Sequence, residues 1–147
     1  MMSLLERLGE EKGFDVRWED QKVDMVWYSK ETGKPEVAIE HELRGDRMRR
    51  LEEGEVRSLK CACAPLRVLI VCFRPTKGFG DKLMKLECWV CSPWRKPQGE
   101  FLVLVARRQK DHAPEGRWEA YKATPRMANW EALRSIKIHS PSQGSTS

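Results

Sequence analysis

Between Phe14 and Leu43 apolar and polar residues change places step by step in three short runs, and the remaining pattern is arranged around them. Phe14-Asp15-Val16-Arg17-Trp18-Glu19 alternates as a strand with one buried face does. Asp20-Gln21-Lys22 predicts a turn into a second strand, Val23 to Ser29. The polar linker Ser29 to Pro35, with Gly33 and Pro35, predicts a hairpin into a third, Glu36 to Leu43. Ahead of these, Leu4, Leu5 and Leu8 recur at helical spacing. They predict an amphipathic helix over residues 3–12, N-capped by Ser3 and closed by Gly13. Behind them, Met48, Leu51, Leu59 and Ala62 form an i, i+3, i+4 stripe that predicts a helix from Asp46 to Cys63, because Pro65 disfavours helix at Ala64.

The second half reads differently. Leu66 to Phe73, LRVLIVCF, is almost continuously apolar and rich in β-branched residues, as a strand buried on both faces is. Leu83, Leu86 and Val90 set a helix from Asp81 to Cys91, with Phe79 just ahead of it. A loop from Ser92 to Gly99 leads to a fifth strand, Phe101 to Ala106, and Trp118 to Ala123 alternates as an edge strand. The order α-βββ-α-β-α-β(β) predicts an α/β sandwich: a central mixed sheet with helices on both faces. One domain over residues 1–139, with its core over 3–110, is expected, and the Ser/Pro/Gln/Gly tail 140–147 is expected to be disordered.

Composition narrows the class. The 147 residues suffice for one core, and 40% hydrophobic with 33% charged residues suits a soluble globular chain. No apolar run approaches a membrane span, and the start lacks the apolar centre of a signal peptide, so a cytoplasmic location without membrane partners is expected. Five cysteines, an odd number, argue against a disulfide framework. The formal charge of +5 points to an anionic partner, nucleic acid first.

The acids then matter more, because they gather inside a basic chain. In Val37-Ala38-Ile39-Glu40-His41-Glu42-Leu43, Glu40 and Glu42 share a face with Ala38, about 7 Å apart at about 3.3 Å per residue. His41 lies on the other face with Val37, Ile39 and Leu43 and is expected to be a core or supporting residue. A hairpin brings Asp24 beside the glutamates. Like charges at that distance need a positive partner, and a hard divalent cation with oxygen ligands supplies one. The competing reading is a solvated sheet face with cross-strand Lys and Arg partners. Glu55 lies on the apolar stripe of its helix, where an unpaired acid is costly; a Lys or Arg one turn away is the alternative.

These residues resemble the restriction-endonuclease-like, or PD-(D/E)XK, nuclease superfamily. Its core is a helix, a three-strand meander, a helix and a strand, with an Asp opening the second strand and (D/E)xK on the third. Asp24 matches the Asp, and Glu40-His41-Glu42 matches the second motif, with Glu42 where lysine is usual, as in members that carry ExE. The wording VAIEHEL, the helix with Glu55 and then APLRVLIVCF look like small prokaryotic members; the resemblance covers residues 3–75. It implies an endo- or exonuclease that hydrolyses phosphodiesters in DNA, with RNA the second choice, using Mg²⁺ or Mn²⁺. It implies Asp24 and Glu40 as ligands, Glu42 in the lysine's role with a share in metal binding, and Glu19 or Glu55 as an additional acid. Lys60 falls off the Glu55 stripe and is not expected to replace the lysine.

For phosphate contacts, Arg44, Arg47, Arg49 and Arg50 form the densest basic group, and Trp94-Arg95-Lys96 reads as a loop able to stack on bases and touch phosphate. The bland readings are a solvated helix start and an ordinary loop surface. A homodimer is plausible, since paired cuts need two sites. Two rivals stand beside the nuclease: a nucleic-acid-binding domain of the same fold without catalysis, and a structural protein with metal held by Cys61, Cys63, Cys88 and Cys91. Against the latter, Cys61 and Cys63 diverge by about 200° if both are helical, although Cys88 and Cys91 share a face.

Overall fold

The alternating runs form an antiparallel meander of β1 (Phe14–Asp20), β2 (Val23–Ser29) and β3 (Pro35–Glu42). A computed structural model describes residues 1–43, 47–74, 78–94, 98–107, 117–125 and 127–137. The β1–β2 turn is tight: Gln21 and Lys22 both have positive φ, 52° and 65°, the twist that two-residue hairpins favour. Gln21 then accepts the backbone N–H of Cys63 and donates to the Tyr28 hydroxyl, so the turn is tied to the chain beyond the next helix.

β4 (Leu66–Phe73) pairs parallel to β3, and β5 (Glu100–Arg107) parallel to β4. Parallel neighbours need crossovers, and helices supply both. α1 (Met2–Glu11) precedes the sheet. α2 connects β3 to β4 in three segments without a break, Met48–Arg50, Leu51–Val56 and Arg57–Cys61, of which the middle one is π-helical. α3 (Phe79–Cys91) connects β4 to β5. β6 (Arg117–Ala123) and β7 (Glu131–Lys137) complete a seven-stranded sheet whose spatial order is the order of the sequence.

The α/β expectation and the mixed sheet therefore hold, with α1 on one face and α2 and α3 on the other. Met25, Trp27, Val37, Ile39, Val68 and Ile70 pack on the α1 side, joined by Met2 and Leu5. Val26, Ala38, Leu69, Val71, Phe73, Phe101 and Val103 lie on the other, under Leu51, Val56, Leu59, Leu86 and Val90. Among the described residues no helix is long and apolar enough to cross a membrane.

Several expectations are corrected. α1 begins at Met2, and Ser3 makes no capping hydrogen bond. β6 is not an edge: β7 lies outside it. That strand escapes the sequence because Ala132, Leu133 and Ile136 do not alternate, and its pairing carries a register shift at Ala120/Tyr121. The tail 140–147 lies outside the described residues. Arg67, inside the apolar run of β4, is 2% exposed. Its guanidinium donates to Leu59 O, Ala62 O and Gln98 O at 2.9, 3.1 and 2.7 Å, closing the carbonyl end of α2. Gly99 meets the same corner with φ +94°, where a Cβ would fall 2.0 Å from Pro65 O.

Candidate active site

β2 and β3 bring Asp24 and Glu40 into contact, as the hairpin predicts. The Glu40 carboxyl hydrogen-bonds the Asp24 carboxyl and also accepts the Asp24 backbone N–H. Asp24 in turn accepts the backbone N–H of His41 through Oδ2 at 2.8 Å, which fixes its rotamer. Glu40 is 7% exposed. Burial first, then the Asp24 charge and hydrogen bond and the charge of Glu55, push its pKa up to about 9. At neutral pH Glu40 therefore keeps its proton. A proton in that place does what a cation would do: it keeps buried Glu40 from repelling half-buried Asp24.

Glu42 is two residues along the same strand and also buried. Above it stands Glu55, carried by the π-helical part of α2. Leu51 and Glu55, four residues apart, share the face an ordinary helix would give them, and the wider π turn brings Val56 closer to that face; all three are buried. The same turn places Arg50 over Glu55, five residues on. Arg50 Nε lies 3.2 Å from Glu55 Oε1 and 3.6 Å from Glu42 Oε2. Burial raises the Glu55 pKa, the nearby Glu42 charge adds to it, and Arg50 works against both. Glu55 Oε2 is buried and has no hydrogen-bond partner among the described residues. Periodicity could place Glu55 inward, but the i, i+5 pairing with Arg50 needs the π turn, which no apolar spacing signals.

The four acids thus stand as two linked pairs, Asp24–Glu40 and Glu42–Glu55, the second bridged by Arg50. Their oxygens are the hard donors that Mg²⁺ or Mn²⁺ takes, and Glu55 Oε2 is an orphaned atom of that kind. Among the described residues, however, no three or more His, Cys, Asp or Glu side chains converge as a ready-made cation cage. Glu19 is exposed on β1 with φ 50°. His41 faces away, and burial lowers its pKa.

The cationic residues divide. Arg47, Arg49 and Arg50 are exposed at the start of α2 and, with Met48, Glu53 and Gly54, line an open depression of about 660 Å³. Arg49 is paired with Glu53 at 3.2 Å. Arg44, Arg95 and Lys96 lie outside the described residues. Lys60 does not reach the acids; its ammonium donates to Trp89 O and Ser92 O at the end of α3. Trp94 is a correction. It is not a loop residue free to stack on bases but 8% exposed, with Nε1 donating to Val90 O at 2.7 Å and its ring edge-on to Phe101. An apolar ring near Phe101 gains more from the core than from solvent, whatever its basic neighbours in sequence.

None of the five cysteines is bridged. Cys61, Cys63 and Cys88 are exposed, Cys72 and Cys91 half-buried, and the described thiols form no cluster with metal-ligand geometry. α2 ends at Cys61, so Cys63 is not on its surface at all. In comparisons with protein-family models, with curated proteins and with solved structures, the chain matches none.

Proposed function

We propose that this chain is a metal-dependent nuclease of restriction-endonuclease-like, PD-(D/E)XK type, hydrolysing phosphodiester bonds in DNA, with RNA the second choice. The observation that carries the reading is the contact of half-buried Asp24 with buried Glu40 across β2 and β3, with Glu42 two residues along the same strand. The order of elements supports it: helix, three-strand meander, helix, parallel strand, with the acid near the start of β2 and Glu40-His41-Glu42 at the end of β3.

Asp24 and Glu40 would hold Mg²⁺ or Mn²⁺, with Glu42 beside them. Bound there, the ion supplies Lewis acidity at a phosphoryl oxygen and a lower pKa for the attacking water. Asp24 is oriented by the His41 backbone N–H, so its other oxygen faces the site. Glu42, beside Arg50, is placed to orient the water and take up its proton. Glu55 is the additional acid, fixed from above by α2. The basic depression at the start of α2 would attract a phosphate backbone.

Purified protein incubated with Mg²⁺ or Mn²⁺ and duplex DNA, single-stranded DNA or RNA tests this. Cleavage is expected, stopped by EDTA and reduced at least about 100-fold in Asp24→Asn and Glu40→Gln, the scale of losing a group that stabilises developing charge. Cleavage surviving both substitutions would remove the assigned site. A second reading, a nucleic-acid-binding domain of this fold without catalysis, is favoured by Arg50 standing between Glu42 and Glu55. It requires binding indifferent to EDTA and no cleavage with either ion.

A further inference from the structure

Hydrolysis of a phosphodiester builds negative charge on the phosphoryl oxygens, and here it would do so beside four carboxyl groups. Such a site needs a cation aimed at the phosphate. Arg50 and Lys60 of α2 stand five residues to either side of Glu55, and Arg57, two residues on, is exposed. Lys60 is committed to the carbonyl end of α3. Arg50 is placed otherwise. Its hydrogen bond and both ion pairs run through Nε, at 3.2 Å to Glu55 and 3.6 Å to Glu42. Among the described residues its two terminal nitrogens donate no hydrogen bond, and its side chain is 63% exposed. The guanidinium is therefore anchored by one edge and open at the fork, the edge that binds phosphate in bidentate fashion. It opens beside the depression lined by Arg47 and Arg49. Independently, buried Glu55 keeps one oxygen unpartnered beneath it, so the anchor is built at a cost in desolvation that a surface ion pair would not incur.

We propose that Arg50 is the catalytic cation of this site: held on Glu42 and Glu55 through Nε, its fork receives the phosphate that is cleaved. This rests on the nuclease reading above. In the step, a water oxygen bonds to phosphorus, the phosphorus–oxygen bond to the leaving sugar breaks, and the water's proton passes through Glu42 to the leaving oxygen. Arg50 donates hydrogen bonds throughout and exchanges no proton. Arg49, engaged with Glu53, contributes only to general attraction.

The test uses the full chain with Mn²⁺ and the oligonucleotide that wild type cleaves fastest. Wild type, Arg50→Ala, Arg50→Lys, Lys12→Ala and Asp24→Asn are compared, with Mn²⁺ affinity and melting temperature measured on each. Arg50→Ala is expected to lower kcat about 100-fold with KM within about threefold, as for loss of one donor to a transition-state oxyanion. Arg50→Lys is expected to recover about a tenth of the wild-type rate, since a point charge lacks the fork. Added methylguanidinium should raise the rate of Arg50→Ala and leave Asp24→Asn unchanged. Lys12→Ala, exposed at the end of α1 on the other face of the sheet, should keep kcat. An Arg50→Ala rate within about threefold of wild type, on the same scale, overturns the proposal. So does a loss confined to Mn²⁺ affinity, which would make Arg50 a counter-ion only. Should Arg50→Ala fail to fold, Arg50→Lys decides, and wild-type kcat there overturns the fork. Normal behaviour of wild type and Asp24→Asn with an active Arg50→Ala removes Arg50 alone; no cleavage by wild type removes both readings.

Discussion

Glu40 is the residue on which the site's chemistry turns. The unfolded chain releases its proton near the ordinary value of 4.5, whereas the folded chain keeps it up to about 9. Between those values the native state binds more protons than the unfolded one, so unfolding free energy should fall as pH rises through the window. The contribution is whole below 4.5 and lost above about 9. Chemical denaturation followed from pH 5 to 9 checks it: the midpoint should drift downward, and Glu40→Gln should flatten the drift and raise the alkaline midpoint. A flat wild-type profile would mean buried Glu40 is not protonated. Proximity of Asp24 to Glu40 was legible from alternation and the hairpin. The depth at which Glu40 sits was not, because β4 and α2, which bury it, are distant in sequence.

At the scale of elements, α2 shows where periodicity stops informing. Met48, Leu51, Leu59 and Ala62 gave the helix, but the π-helical segment Leu51–Val56 turns Glu55 and Arg50 toward each other. Backbone hydrogen bonding, not side-chain pattern, decides a π turn. The end of α2 depends on Arg67 in the same indirect way. Arg67→Met keeps the volume and leaves the carbonyls of Leu59, Ala62 and Gln98 without their donor. It should cost about 3 kcal/mol, since several buried acceptors lose their partner at once. Urea denaturation measures it, and a loss under about 1 kcal/mol would show that water replaces the guanidinium freely. Nothing in LRVLIVCF distinguishes this arginine from one on a strand surface.

For the whole molecule, charge is the quantity with consequences. A net charge of +5 around an acidic centre suits a polyanion that is gripped by its backbone and cut at one point. Affinity for a DNA oligonucleotide, measured in Ca²⁺ or EDTA to prevent cleavage, should fall at least about tenfold between about 50 and about 200 mM salt. Affinity unmoved by salt would argue against phosphate contacts and for a partner of another kind. Under the proposed function the exposed arginines of α2 would take this role; Trp94, buried against Phe101, would not.

Local pattern alone determined the strands and helices up to β6, the α/β class, the meander and the side of the sheet that carries Asp24, Glu40 and Glu42. Strand alternation and helical spacing are properties of neighbours in the chain, so neighbours suffice to read them. Tertiary structure decided the rest: the burial that holds a proton on Glu40, the bridge from Arg50 to Glu42 and Glu55, the guanidinium of Arg67 at a helix end, the ring of Trp94 in the core, and β7 beyond β6. Each depends on groups brought together from separate elements, and desolvation and hydrogen-bond partners exist only once those elements have packed.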